Sequence, residues 1–224
     1  MRKEGSAIST ERRVTGWAAL LGGLLSLVMV GLYFVYSGPP PSANVLSRNL
    51  ITLATFTAFL VFAVGVGRLL RDPDGDAGLG GDLAVTALRA YVTVTLVAAS
   101  LEVGTSLQYP DGDLDPTVDG PLAAGMVLLH GPIARVLVAV FLLALAAAPT
   151  ARQYFSRRVL RGGVVLALVN LALVPSLFFG MDAADCYAAN GWGAVASIGA
   201  VNVIWFALLG RSVLRTPRRP PALV

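Results

Sequence analysis

The sequence predicts an all-α, polytopic membrane protein with six transmembrane helices and both termini in the cytoplasm. Three observations lead to this fold class: the composition, the lengths of the apolar runs, and the distribution of basic residues. Hydrophobic residues make up 56% of the 224 residues and charged residues only 13%, and the mean hydropathy is +0.73. A soluble domain of this size carries more charge and less apolar surface.

The apolar runs have the length that a bilayer requires. A spanning helix needs about 20 mainly apolar residues because the hydrocarbon core is about 30 Å thick. Six runs meet this condition: 15–37, 49–70, 83–104, 121–148, 160–180 and 191–210. The connections, such as "SGPPPSAN" and "RDPDGDAGLGGD", are short and rich in turn residues. We therefore expect a single six-helix transmembrane domain over residues 1–224.

The basic residues predict the orientation. Fourteen Lys and Arg residues flank the spans at the two termini and in the second and fourth connections, whereas the other three connections hold only Arg48. Basic flanks remain in the cytoplasm, so both termini are expected inside, which agrees with an even number of spans. Sixteen of the seventeen basic residues are Arg, a composition typical of GC-rich bacteria. We expect a multi-pass protein of the bacterial inner (plasma) membrane.

The fourth span contains the most unusual stretch, "VLLHGPIARVLVAV". Counted from Pro121, His130 lies about 14 Å and Arg135 about 21 Å along a helix, so both are expected at bilayer depth. Pro132 lies between them, and a proline inside a helix removes one backbone donor and kinks the axis. The stretch predicts a kinked, polar-lined point that faces the interior of the bundle.

Polar residues in other spans could complete a ligand-binding site there, because such groups are costly in lipid unless they are buried or paired. Glu102 lies near the outer end of the third span, where an interfacial carboxylate is expected, and Arg89 near the inner end can extend its guanidinium toward the interface. The ligand-binding hypothesis comprises His130, Arg135, Asn170, Asn202 and Glu102, with Thr93, Thr95, Ser100 and Ser197 as further hydrogen-bonding groups. Interhelical packing is the alternative role for Asn170 and Asn202, and purely structural hydrogen bonding the alternative for His130 and Arg135.

The residue inventory restricts the chemistry. Cys186 is the single cysteine and His130 the single histidine, so an intrachain disulfide, a thiolate metal cluster and bis-histidine haem ligation are excluded within this sequence. The zinc-protease, serine-hydrolase and P-loop motifs are missing from it. We expect no cofactor, no metal site, no catalytic residue and no nucleic-acid partner, since the basic residues follow the topology.

The order of several short stretches carries a resemblance. An Arg-rich start leads into "VTGWAALLGGLLSL", the second span ends in "GRLLR", and the fifth begins at "RQYFSRRVLRGG". In this layout the chain resembles the multi-pass, domain-of-unknown-function membrane proteins of actinobacteria. The resemblance implies the topology and transfers no site residue.

Three functions are consistent with these patterns. The first is a non-enzymatic protein that binds or passes a small or lipid-like molecule at a polar site inside the bundle. The second is a membrane subunit or scaffold of a larger complex, such as an exporter permease, with the basic segment 152–161 toward its partner. The third is an intramembrane enzyme that uses Glu102 and His130. The expected partners are the lipid bilayer and a homo-oligomer or partner membrane subunit.

Overall fold

The computed structural model describes residues 9–36, 38–109 and 115–215, which form helices and turns without a strand. Six helical segments are long and apolar enough to cross a membrane, as the sequence predicts. They are Thr10–Leu32, Ser42–Leu69, Gly78–Gln108, Leu122–Ala147, Arg157–Phe179 and Gly193–Arg215.

Most spans begin earlier than the hydropathy indicates. We label the regular helices α1 (Thr10–Leu32), α2 (Ser42–Leu69), α3 (Gly78–Gln108), α4 (Gly120–Leu128), α5 (Ala134–Ala147), α6 (Ala151–Tyr154), α7 (Arg157–Ala172) and α8 (Ile198–Arg215). The hydroxyl of Ser9 caps α1 and that of Ser156 caps α7, each by accepting a backbone N–H three residues later. The expected end of the first span, Ser37, lies outside the described residues.

The predicted break in the fourth span is confirmed. Between α4 and α5 the chain forms a π-turn over Leu129–Ile133, and Gly131 leaves the helical region with φ −88° and ψ −106°. Pro132 is the physical reason, because a proline inside a helix has no N–H to donate and its ring clashes with the carbonyl group four residues earlier. A second π-turn, Gly193–Ser197, opens the sixth span, and the fifth span changes to a 3₁₀ segment, Val174–Phe179, at Pro175.

The spans form a ring in chain order. Each packs against the next, and the first packs closely against the sixth, whereas the fifth packs mainly on the fourth. The centre is aromatic: Phe206 of α8 stacks on Tyr91 at 5.8 Å and on Phe141 at 5.7 Å between ring centroids, and lies 4.6 Å from Phe59. This cluster fills one half of the bundle and leaves the other half open to a cavity.

Candidate functional site

A cavity of about 440 Å³ lies at the end of the bundle formed by the connections after the first, third and fifth spans. Five of the six spans contribute to it, and the fifth does not. Apolar and aromatic side chains form most of the wall, among them Met29, Phe56, Met126, Val127, Trp192 and Val203. Volume and lining are those of a site for a small molecule with an apolar body.

The cavity ends at the aromatic cluster. Phe56 of α2 and Val203 of α8 line its inner part, while Phe59 and Phe206, one helical turn further along the same helices, are buried in the core. Phe56 is fourteen residues after Ser42, the start of α2, which corresponds to a depth of about 21 Å along the helix. The cavity therefore reaches about halfway along α2, whose 28 residues span about 42 Å.

Of the five residues predicted for the site, only His130 lines the cavity. The π-turn directs its half-buried side chain to the cavity. None of the hydrogen bonds within the described residues involves its imidazole, which has a donor and an acceptor on its two nitrogens when neutral. Ser26 also lines the cavity, and its buried hydroxyl has no partner among the described residues. The imidazole can therefore bind a ligand without breaking an internal contact, whereas the Ser26 hydroxyl is fully buried behind the wall.

A buried ion pair between Arg48 and Glu102 lies at the cavity wall. The Glu102 carboxylate accepts hydrogen bonds from the Arg48 guanidinium, from Asn49 Nδ2 at 2.8 Å, and from the Tyr33 hydroxyl at 3.2 Å. Arg48 also lies over the Tyr33 ring, with Cζ 4.0 Å from its centroid, as in a cation–π contact. Arg48 and Tyr33 line the cavity, whereas Glu102 does not.

The prediction that Glu102 lies at a solvated interface is wrong. The residue is only 1% exposed, because α2 covers it and provides the positive charge that a buried carboxylate requires. Sequence reasoning missed Arg48 and Asn49 because they lie before or at the predicted start of the second span. The sequence did mark Arg48 as unusual, since it is the one basic residue in the three connections that are expected on the extracytoplasmic side.

Arg135 binds backbone and side-chain oxygens at the end of the fifth span and in the connection after it, away from the cavity. Its side chain is buried and donates to the Leu173 carbonyl at 2.5 Å, to Ser176 Oγ at 3.0 Å and to the Ala189 carbonyl at 3.5 Å. The first two acceptors lie where α7 ends and the 3₁₀ segment begins, a place where backbone carbonyls lack helical partners. Arg135 does not line the cavity. Its contacts match the structural role considered for it.

Asn170 and Asn202 form a reciprocal amide pair. Each Nδ2 donates to the other's Oδ1, at 2.9 and 3.0 Å, and Asn170 also donates to the Leu166 carbonyl at 2.9 Å. The pair joins α7 to α8 and does not contact the cavity. Both amides thus have the packing role that membrane asparagines commonly have.

Neither a Glu102–His130 hydrogen bond nor a metal site is found in the described part of the chain. All hydrogen bonds of Glu102 go to Tyr33, Arg48 and Asn49. Over residues 9–36, 38–109 and 115–215, no three His, Cys, Asp or Glu side chains gather as metal ligands.

The fold and the cavity together define a class: a six-span helical protein with an amphipathic cavity in one half of the bundle. Comparison with protein families, curated proteins and solved structures finds no match to this chain.

Proposed function

We propose that this protein binds a small, lipid-like molecule in the cavity, with the apolar part of the molecule against the aromatic wall and its polar group hydrogen-bonded to His130. The observation that carries the proposal is the imidazole of His130, which has no hydrogen-bond partner among the described residues and lies on the wall of a mainly apolar cavity. A polar group at bilayer depth without an internal partner is costly, and a ligand removes that cost.

We further propose that the cavity opens on the extracytoplasmic side of a bacterial plasma membrane. The fourteen-to-one distribution of basic residues supports this orientation, because the connections that form the cavity end are the ones with few basic residues. The bacterial assignment rests on the arginine-rich composition.

Binding is better supported than passage through the bundle. The packed rings of Phe59, Phe141 and Phe206 lie between the cavity and the opposite end, so a transported molecule would have to displace the core. The two π-turns also favour a binding site, since both contribute to the cavity wall and such turns are frequent at functional sites.

Two other functions remain weaker proposals. An intramembrane enzyme would need Glu102 to exchange protons with His130, but its carboxylate is fully used by Tyr33, Arg48 and Asn49. A membrane subunit or scaffold of an exporter is favoured only by the basic segment 152–161.

Native mass spectrometry of the purified protein tests the binding proposal. We expect one retained adduct per chain, reduced several-fold in His130→Ala because the polar contact is lost. Gly199→Phe should abolish the adduct: Gly199 lines the cavity, and a Cβ placed there meets no atom within 4 Å, so the ring fills the cavity without disturbing the helix. Gly199→Ala is the matched control and should retain the adduct. Equal retention in all four proteins would contradict the proposal.

A further inference from the structure

Tyr91 of α3 brings a buried hydroxyl group to the inner end of the cavity. It is the one buried residue among the six tyrosines, with 8% of its surface exposed, and it lines the cavity. Its ring stacks on Phe206 at 5.8 Å and contacts Phe56 at 5.5 Å between ring centroids. The ring is therefore fixed by the aromatic cluster at which the cavity ends.

The Tyr91 hydroxyl forms no hydrogen bond with any residue that the structure describes. A buried tyrosine hydroxyl usually has a partner, and it can both donate and accept a hydrogen bond. The half-buried Tyr33, for comparison, donates to Glu102 at 3.2 Å. The Tyr91 oxygen is also not enclosed by protein atoms, in contrast to the Ser26 oxygen. A molecule in the cavity can therefore supply the missing partner.

The other hydroxyl groups predicted for the site do not offer a free donor there. Thr95 lines the cavity, but its hydroxyl donates to the Tyr91 carbonyl within the same helix at 2.9 Å. The sequence predicts Thr93 and Ser100 inside the bundle, whereas both are exposed on the outer side of α3. Ser197 is exposed as well and does not line the cavity. The free hydroxyl on the α3 part of the wall is that of Tyr91.

Tyr91 and His130 lie at different depths in the cavity. Ala98 of α3 packs against Val127 of α4, so these two residues are level. Tyr91 is seven residues from Ala98, or about 10 Å deeper, and His130 is three residues from Val127, or about 4.5 Å deeper. Side chains lean toward the N-terminus of their helix. Because the two spans are antiparallel, the Tyr91 hydroxyl leans inward, away from the level of His130.

We propose that the ligand carries a second polar group at the far end of its apolar part, and that the Tyr91 hydroxyl binds this group. The inference rests on the binding function proposed above and narrows the ligand to an elongated molecule with a polar group at each end, such as a fatty chain with a terminal hydroxyl. A chain that ends in a methyl group would leave the Tyr91 hydroxyl unpaired. Tyr91 is thus a specificity-determining residue, because a site that hydrogen-bonds a ligand hydroxyl discriminates against analogues without it.

The probes 1-decanol and 1,10-decanediol test this contact, because they differ only in one terminal hydroxyl. Binding of each to the purified full chain is measured by isothermal titration calorimetry in one detergent. The affinity for the diol relative to that for decanol should fall several-fold in Tyr91→Phe, because the buried end of the diol then has no partner. Tyr154→Phe removes the same atom from a tyrosine in α6 that does not line the cavity, and it should leave the ratio unchanged.

The stability of Tyr91→Phe provides a second readout. Without ligand, this variant should resist heat at least as well as the unmodified chain, because no internal hydrogen bond is lost. A clear loss of stability would show that the hydroxyl has a structural partner and would overturn the inference. Equal affinity ratios in Tyr91→Phe and the unmodified chain would also overturn it, and would leave the cavity site intact. Binding of neither probe to the unmodified chain would contradict the proposed function itself.

Discussion

Arg48 and Glu102 are buried charges that stabilise the fold only as a pair. Each would be expensive alone in an apolar interior, and removing one partner leaves the other uncompensated. The Tyr33 hydroxyl and the Asn49 amide donate to further lone pairs of the carboxylate. The ion pair thus belongs to a network that joins α2, α3 and the residue that follows α1. The network holds together the helices that form one wall of the cavity.

We expect Glu102→Gln to destabilise the protein by about 3 kcal/mol or more, because it leaves the Arg48 charge buried. The measurement is thermal unfolding in detergent, followed by intrinsic fluorescence. Glu11→Gln is the matched control: Glu11 pairs with Arg68 at 3.3 Å on the surface, where both side chains are more than half exposed, so its loss should change little.

The double variant Arg48→Met with Glu102→Leu should recover most of the lost stability, since an apolar pair of similar size no longer carries an uncompensated charge. A double variant as unstable as Glu102→Gln would argue against the charge as the cause.

At the level of single residues, the sequence identified the costly groups but could not assign their partners. Glu102 and the amides of Asn170 and Asn202 were recognisable because a polar side chain in an apolar run is rare. Their partners depend on how the helices rotate about their axes. Hydropathy also placed the start of the second span at Asn49, seven residues too late, which left Arg48 outside the predicted span.

Glycines allow the first and sixth spans to approach each other closely. Gly16 of α1 and Gly210 of α8 face each other, and a Cβ on Gly210 would lie 2.5 Å from the Gly16 carbonyl oxygen and 2.8 Å from the Leu20 nitrogen. Both are backbone atoms, so they cannot move aside as a flexible side chain could. This contact keeps the first and sixth spans together and closes the ring.

Gly210→Ala should therefore reduce stability by about 1–3 kcal/mol, the range for overpacking, because the two helices must separate. Gly104→Ala is the matched control, because a Cβ added at this helical glycine meets no atom within 4 Å. It should leave stability unchanged or raise it through the higher helix propensity of alanine. Thermal unfolding of both variants in the same detergent gives the comparison. Equal losses in the two variants would contradict a close α1–α8 contact.

Elements were more predictable than contacts. Six spans and the break at Pro132 follow from run length and proline geometry, which are local properties. The π-turn at the start of the sixth span was not predicted, because nothing in "GWGAVAS" distinguishes it from a regular helix. The sequence predicted that His130 and Arg135 face the interior together, but only His130 lines the cavity, and this separation is a tertiary property.

For the whole molecule, the orientation determines which side of the membrane the cavity faces. Cys186 lies exposed in the connection after the fifth span, at the cavity end, and Asp74 lies exposed in the connection at the opposite end. Because the basic residues flank the opposite end, Cys186 should be extracytoplasmic.

A membrane-impermeant maleimide added to intact cells should label Cys186. The variant Cys186→Ser with Asp74→Cys is the control, and it should be labelled only after the cells are broken. The reverse pattern would mean that the cavity opens to the cytoplasm.

Electron cryomicroscopy of the protein in nanodiscs tests whether the cavity holds a lipid-like molecule at His130. We expect non-protein density between α1, α2, α3 and the two π-turns. Its polar end should lie within hydrogen-bond distance of the imidazole, and its tail should end at the aromatic cluster around Phe206. A cavity that contains only ordered water, or one closed by inward movement of the helices, would contradict it.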